Sequence, residues 1–201
     1  MRGPASLSAT QDLGRHGAWR FTRQYVVEPE LIAVFHRLYE AAFGPLRTRA
    51  MARQVLTEEE FRGLMVNSEV LKYVAWSADG KPVGLAALTR SLATVPWISP
   101  EYFAARYPEQ WARGAVWYFD FVLAHPSQRH ARFTDQIIEV AVGELLAERA
   151  ICAYDICAFN DYELGFGSRL ADSFERTTGV RPERRDVQNY YALDFGLSPK
   201  L

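Results

Sequence analysis

Hydrophobic and polar residues near the start of this chain first alternate as in a strand and then recur at helical spacing. Residues 19–27, WRFTRQYVV, alternate large apolar with polar side chains, as a half-buried strand does. Pro29 then opens a pattern with helical spacing, ELIAVFHRLYEAAF, which ends at Gly44. A second helix is predicted over TEEEFRGLMVN, where Thr57 is the N-cap and Glu60 completes a capping box. This part of the chain therefore predicts one strand followed by two helices.

The remaining elements alternate between strands and helices. VLKYVAWS and KPVGLAALTR form the clearest hairpin, because the intervening Asp79-Gly80 suits a tight turn between strands. A central strand AVWYFDFVLA, a helix over about residues 132–149 and a strand AICAYDICAF follow. A helix near LADSFERTT and a last strand NYYALDF complete the order. Strands that alternate with helices in this way predict an α/β domain.

The predicted elements also set the domain bounds. Residues 1–18 are rich in Gly, Ser, Ala and polar groups and are predicted to form a flexible N-terminal tail. Residues 19–201 are long enough for a single domain with a full core. An insertion at about 91–114 is longer than a simple connection. It contains five aromatic residues: Trp97, Tyr102, Phe103, Tyr107 and Trp111. These side chains either line a pocket, anchor the insertion to the domain, or are buried in a homodimer interface.

Composition and charge exclude several classes of function. The chain carries 23 Lys plus Arg and 24 Asp plus Glu, a formal net charge of -1, so no overall positive field favours nucleic acid. No apolar run reaches the ~18 residues that a membrane span needs, and the N-terminus lacks the apolar core of a signal peptide. We therefore expect a cytoplasmic protein without nucleic-acid or membrane partners. The histidines and cysteines lack the spacing of metal ligands, so no metal site is predicted.

The stretch WYFDFVLAHPSQRHARFTDQIIEVAVGELLAE, residues 117–148, reads as a strand, a basic turn and an amphipathic helix. A helix start exposes unpaired N–H groups and the positive end of the helix dipole, which together favour an anion. Arg129, His130 and Arg132 add positive charge and donors to this turn. The segment therefore suggests a phosphate-bearing ligand, and the alternative is a solvated basic turn before a core helix.

The layout of this stretch resembles the signature of the GNAT superfamily of N-acyltransferases. His125 and Pro126 stand where that family has a His-Pro pair, and Arg129 stands at the Arg/Gln position of its coenzyme A pyrophosphate loop. The two glycine positions of the loop are occupied by Arg132 and Thr134. Either side chains replace the bare backbone as phosphate donors, or they fill the pocket and coenzyme A binding is lost. The resemblance implies a mixed, mostly antiparallel central sheet flanked by helices.

The resemblance also implies cofactor-binding residues for acetyl-CoA or another acyl-CoA. In the family the strand after the loop is bent away from its neighbour, and the wedge accepts the pantetheine arm. Asn160 matches a common Asn after the next strand, although it equally suits a helix cap. Phe174 stands where many members have a Tyr that protonates the leaving thiolate. The residues that the resemblance places at the cofactor are Val122, Leu123, Ala124, Arg129, His130, Ala131, Arg132, Phe133, Thr134, Asn160 and Phe174.

Two residues are the candidates for catalysis. Asp120 lies between Phe119 and Phe121 in an apolar strand, where burial would raise its pKa toward working pH and make it a general base. A buried carboxylate paired with a nearby Arg is the alternative interpretation. A phenyl ring at position 174 cannot donate a proton, so three alternatives remain: Tyr162 is the acid, the thiolate leaves unaided, or the site is not catalytic.

Two functions of different class remain open from the sequence. One is an N-acyltransferase that moves an acyl group from coenzyme A, or from an acyl carrier protein, to a small-molecule or peptide amine. The other is a non-catalytic GNAT-like binding domain in which Arg132 plugs the old cofactor groove.

Overall fold

A six-stranded sheet forms the centre of the computed structural model, which describes residues 10–125 and 131–194. The strands lie side by side in chain order, and all neighbours are antiparallel except the last pair, which is parallel. This is the mixed, mostly antiparallel sheet that the resemblance to the GNAT superfamily implies. The strands are β1 (Gln11–His16), β2 (Trp19–Gln24), β3 (Val70–Trp76), β4 (Pro82–Thr89), β5 (Val116–Ala124) and β6 (Ile151–Ala153).

Helices cover both faces of the sheet. On one face, α1 (Pro29–Phe43) and α2 (Glu58–Val66) pack on the strands through Phe35, Phe61 and Met65. On the other face lie α5 (Ala131–Ala147) and α6 (Phe166–Thr178). The short helices α3 (Pro100–Arg106) and α4 (Pro108–Ala112) belong to the insertion, and single turns complete the structure: Gly44–Thr48, Leu92–Thr94 and a π-helix at Phe159–Glu163.

Several sequence predictions are confirmed. The helix that begins at Pro29 ends at Phe43, and the hairpin of β3 and β4 forms in register. The capping box at α2 is present: Glu60 N–H donates to Thr57 Oγ1 at 3.2 Å, and Thr57 N–H donates to Glu60 Oε2 at 2.7 Å. These features depend on local sequence, which is why the sequence predicts them well.

Three stretches differ from the sequence predictions. Residues 11–16, assigned to a flexible tail, form β1 and pair with β2, while residues 1–9 lie outside the described residues. The strand predicted over AICAYDICAF is limited to Ile151–Ala153. Residues 189–194 form no strand and are exposed, because no described strand lies beside them to complete a ladder. Phe195 lies outside the described part of the chain.

The insertion is anchored to the sheet through a small apolar cluster. Val95 and Phe103 pack against Val116 and Tyr118 of β5, and all four side chains are buried. Trp97, Tyr102 and Trp111 remain exposed. The anchoring alternative therefore holds for part of the insertion, and its other aromatic rings face outward. Among the described residues no helix has the length and apolar character that crossing a membrane requires.

Candidate functional site

A β-bulge interrupts the central strand β5 at Asp120. Ala87 of β4 pairs with Phe121, and Leu88 pairs with Phe119, so Asp120 is the additional residue between them. The bulge reverses the alternation of the strand: Phe119 packs in the core under α5, whereas Phe121 packs in the core under α1. Bulges commonly re-aim a side chain next to an active site.

Beyond the bulge, β5 and β6 separate. Their parallel ladder ends at the pair Tyr118–Ala153, while β5 continues to Ala124 with β4 as its neighbour. The separation leaves a small cleft of about 50 Å³ between β5, the segment after β6, and α6. The cleft is mainly apolar and contains two carboxylates; its lining residues are Phe119, Asp120, Phe121, Val122, Tyr154, Asp155, Ile156, Phe166, Leu170 and Phe174.

Asp120 is a strongly perturbed carboxyl group. Its Oδ2 atom is buried and has no hydrogen-bond partner among the described residues, and no described Arg pairs with it. Burial raises its pKa to about 7, and the negative charge of Asp155 adds to the rise, while Lys72 opposes it. The interpretation of Asp120 as an arginine-paired carboxylate is therefore wrong for the described chain. The structure instead gives it the pKa expected of a general base at neutral pH.

Lys72 lies on the same face of the sheet, two strands away from the bulge. It pairs with Ala87, the residue of β4 that faces the bulge. Its side chain is fully buried, and its Nζ donates to the carbonyl oxygens of Tyr25 at 2.8 Å and Asn67 at 2.6 Å. Burial lowers its pKa to about 7, and Asp120 acts in the opposite direction. The two charges are close enough to shift each other's pKa.

A hydrogen-bond network joins the insertion to the cleft. Tyr118 donates a short hydrogen bond to Asp155 Oδ1, and Trp97 Nε1 donates to both Tyr118 Oη at 3.2 Å and Asp155 Oδ1 at 3.3 Å. Burial raises the pKa of Tyr118 well above its usual range, and the neighbouring carboxylate of Asp155 raises it further. Asp155 is thereby fixed beside Asp120, and Trp97 forms the exposed rim of this site.

Comparison with known proteins identifies the fold. No protein-family model and no curated protein matches the sequence. The aminoglycoside acetyltransferase meta-AAC0020, from an uncultured soil metagenomic sample, gives a TM-score of 0.51 at 14% identity, over 88% of this chain and 97% of its own. A probable acetyltransferase gives 0.52 at 14% identity, over 87% and 97%. The aminoglycoside acetyltransferase AAC(6')-Ib, in complex with coenzyme A and kanamycin, gives 0.50 at 14% identity, over 78% and 98%. The chain has the GNAT fold.

Within this GNAT fold, some predicted cofactor residues reach the cleft and others do not. Val122 and Phe174 line it, and the ring of Phe174 stacks on Tyr154. Ala124 is half-buried at the end of β5, and Leu123 is buried in the core on the other face. Leu123 faces away from Val122 because neighbouring side chains in a strand point to opposite faces.

The predicted phosphate loop falls largely outside the described structure. Arg129 and His130 lie outside the described residues, and for Ala131, Arg132 and Thr134 only the backbone in the first turn of α5 is described. Phe133 is buried in the core, where its ring packs edge-on against Trp19 at 5.0 Å between centroids. Its side chain therefore supports the helix, and a cofactor role for the loop stays a prediction.

Asn160 and Tyr162 lie on the π-helix Phe159–Glu163. Tyr162 is 66% exposed, its hydroxyl accepts a hydrogen bond from Arg184 at 3.0 Å, and it does not line the cleft. Asn160 is half-buried and also lies outside the cleft lining. The structure thus does not bring the predicted acid to the predicted base.

Three residues of the site were missed by sequence reasoning: Lys72, Tyr154 and Asp155. Lys72 and Asp155 each interrupt an apolar strand pattern, VLKYVAW and AICAYDICAF, in the same way as Asp120 interrupts WYFDFVL. A charged residue within an otherwise apolar run was the available signal. Tyr154 gave no such signal, because tyrosine is common in strands.

Proposed function

We propose that the protein is an N-acyltransferase that moves an acyl group from a thioester to an amine. The observation that carries this proposal is the position of Asp120: a carboxyl group with a pKa of about 7 stands at the bulge where β5 and β6 separate. The wedge between the two strands would be the binding slot. The carboxyl group inside it can accept a proton at neutral pH and would be the catalytic group.

The residues of the wedge fit the pantetheine arm of a thioester donor. The slot is apolar, and the edge of β5 facing it, from Phe119 to Ala124, has no described ladder to β6. Val122 and Ala124 would offer backbone groups to the arm, and Arg129 and Arg132 are the candidates for the phosphates. Acetyl-CoA or another acyl-CoA, or an acylated carrier protein, would supply the activated acyl group.

Asp120 takes the proton that the attacking amine must lose. A base works best when its pKa is close to the working pH. A useful fraction of the base is then ionised, and this ionised form binds the transferred proton firmly. Burial and Asp155 place the pKa of Asp120 in that range, and the unpartnered Oδ2 atom leaves an acceptor free for the incoming N–H.

The acceptor amine would approach from the face that carries the insertion. Trp97 is 54% exposed and is hydrogen-bonded to Asp155, so its ring would form one wall of the acceptor site. Two of the similar structures are aminoglycoside acetyltransferases. Amino sugars therefore belong in the first panel of acceptors, beside simple alkylamines and peptides with a free N-terminus.

A second candidate function is a non-catalytic binding domain, and the size of the cleft favours it. A volume of about 50 Å³ holds only a few water molecules, because Tyr154 and Phe174 stack across the slot with their ring centroids 5.7 Å apart. Donor binding therefore requires these rings to move. A protein in which they stay stacked would have no room for a thioester.

Two measurements separate these functions. Calorimetric titration with coenzyme A, acetyl-CoA and pantetheine tests the slot, and thiol release from acyl-CoA in the presence of amines tests turnover. We expect kcat/KM to fall below about pH 7 as Asp120 takes up a proton, at the same pH for two acceptors of different basicity. Asp120→Asn should lower kcat/KM by about a hundredfold or more, and the exposed control Asp186→Asn should not.

The outcomes are distinct. Binding and turnover with the Asp120 dependence would support the N-acyltransferase. Turnover that Asp120→Asn leaves intact would remove Asp120 as the base. The absence of both binding and turnover with every donor, including an acylated carrier protein, would favour the non-catalytic domain.

A further inference from the structure

A second cavity lies at the end of the sheet where β4 begins and β5 ends. Its volume is about 250 Å³, larger than that of the cleft at Asp120. The backbone N–H of His125, the residue after β5, donates to Val83 O of β4 at 2.8 Å, which joins the two strand ends beside the cavity. We call this cavity the α1 pocket; its described lining is Val34, Arg37, Leu38, Lys81, Pro82 and His125.

The α1 pocket is a separate site from the cleft at Asp120. Val34 and Leu38 belong to α1, which covers one face of the sheet. The cleft is bounded by α6, which lies with α5 on the other face. The described linings of the two cavities share no residue. A ligand in the α1 pocket would therefore leave the cleft open to another molecule.

The α1 pocket combines apolar and cationic side chains. Its apolar part includes Leu38, which is buried in the core under α1. Its polar part consists of Arg37, Lys81 and His125, all of them exposed, and the described lining contains no carboxylate. Such a lining suits an organic anion, because aliphatic side chains contact the apolar part of the ligand while the cations bind its charged group.

The two permanent positive charges of this lining are only weakly neutralised. Arg37 forms no ion pair with a described residue, and the nearby carboxylate of α1, Glu40, is held by Arg47 at 2.6 Å. Lys81 pairs with Asp79 at 2.9 Å, but the two side chains are 78% and 60% exposed. An ion pair as exposed as this one contributes little, so Lys81 can exchange Asp79 for another anion.

We propose that the α1 pocket binds the phosphate group of a small organic phosphate. A phosphate monoester carries nearly two negative charges at neutral pH, so it matches Arg37 and Lys81 together better than a singly charged carboxylate does. The planar guanidinium of Arg37 can also bind two phosphate oxygens at once. The phosphate would belong either to the donor of the proposed acyl transfer or to a separate small molecule. Binding at this pocket is independent of the proposed acyl transfer.

Phenyl phosphate is the probe, because it joins a phosphate monoester to a small apolar ring. We expect saturable binding with a roughly millimolar Kd in two-dimensional NMR titrations at low ionic strength. The shifts of backbone amide signals should concentrate at Arg37, Lys81 and His125. Benzyl alcohol, which has the ring without the charge, should bind at least about tenfold more weakly.

Substitutions with opposite effects on local charge test the role of each cation. Arg37→Gln and Lys81→Gln should each weaken binding by about three- to tenfold. Asp79→Asn should tighten it by about two- to threefold, because it releases Lys81 and keeps a turn sequence that suits the hairpin. Arg62→Gln is the matched control: it removes the same charge from an arginine of α2 outside the pocket and should leave Kd unchanged.

Coenzyme A and 3′-dephospho-coenzyme A separate the two sources of the phosphate. If the phosphate belongs to the donor, Arg37→Gln should weaken the binding of coenzyme A and leave that of the dephosphorylated form unchanged. If it belongs to a separate molecule, Arg37→Gln should weaken the binding of phenyl phosphate alone. Either pattern supports the α1 pocket as a phosphate site.

Other results would overturn the inference. Equal effects of Arg37→Gln and Arg62→Gln would show a response to net charge instead of a local site. Changes in the same direction for Lys81→Gln and Asp79→Asn would have the same meaning, and so would the absence of saturable phenyl phosphate binding to the wild type. Melting temperatures that match the wild type establish that the variants are folded. Wild-type protein that binds phenyl phosphate but turns over no thioester would overturn the proposed function and leave this site in place.

Discussion

Replacement of Asp120 by asparagine should stabilise the protein at high pH and have little effect at low pH. The carboxyl group has an ordinary pKa of 3.8 in the unfolded chain and a pKa of about 7 in the folded state. Below about pH 4 both states are protonated, so the group adds no penalty. Between these values the unfolded state loses its proton first, and above about pH 7 the folded state carries the full penalty of a buried charge.

The difference between 3.8 and about 7 corresponds to ~4 kcal/mol of unfolding free energy, which is the upper limit of the gain. Part of it is lost in the variant, because the charge of Asp120 also supports the ammonium of Lys72. We therefore expect Asp120→Asn to raise the unfolding free energy by about 1–3 kcal/mol at about pH 8.

Urea unfolding followed by circular dichroism at several pH values between about 4 and 8 provides the measurement. The exposed Asp186→Asn is the control and should show no gain at any pH. The difference in unfolding free energy between Asp120→Asn and the wild type should change with pH. A difference that stays constant across this range would refute the argument, because it cannot come from a carboxyl group whose pKa changes on folding.

Two further changes test the packing around the site by the same urea method. Gly84→Ala would place a Cβ 2.0 Å from Phe133 Cζ and should lower the unfolding free energy by about 1–3 kcal/mol. Gly143→Ala lies in open space on α5 and should raise the unfolding free energy by about 0.5–1 kcal/mol. Equal effects of the two changes would contradict the close approach of Gly84 and Phe133. Trp97→Phe removes the N–H that donates to Tyr118 and Asp155 and should lower the unfolding free energy by about 1 kcal/mol. A loss no larger than that of the exposed control Trp111→Phe would show that these hydrogen bonds do not stabilise the fold.

The sequence predicted the elements whose signals are local. The proline at the start of α1, the capping box at Thr57 and the Asp-Gly hairpin each set a boundary through a few neighbouring residues, and each is present in the structure. Asp120 was also identified from sequence, because a lone carboxylate between two phenylalanines is rare in a buried strand. Its high pKa and the absence of a described arginine partner required the structure.

Features that depend on distant residues were not predicted. The end of β6 at Ala153 depends on where β5 turns away, and the strand proposed over residues 189–194 had the right alternation but no neighbour. Tyr162 was chosen as an acid because it lies near the expected sequence position, yet it is exposed on the π-helix, while Tyr154 is in the cleft. Proximity in sequence to a motif does not place a side chain in the site.

The bulge at Asp120 explains why the proposed base lies beside the proposed donor slot. In a regular strand, Phe119 and Phe121 are two positions apart and would share one face, so the strand would present the same side to α5 along its length. With the bulge, Phe119 packs in the core under α5 and Phe121 packs in the core under α1, and Asp120 stands between them beside Asp155. The same distortion occurs where the ladder to β6 ends. A fold that needed only stability would have no reason to retain an unpartnered carboxylate at that position, since removing the charge should stabilise it. The expected cost in stability at Asp120 is therefore an argument in favour of the proposed catalytic role.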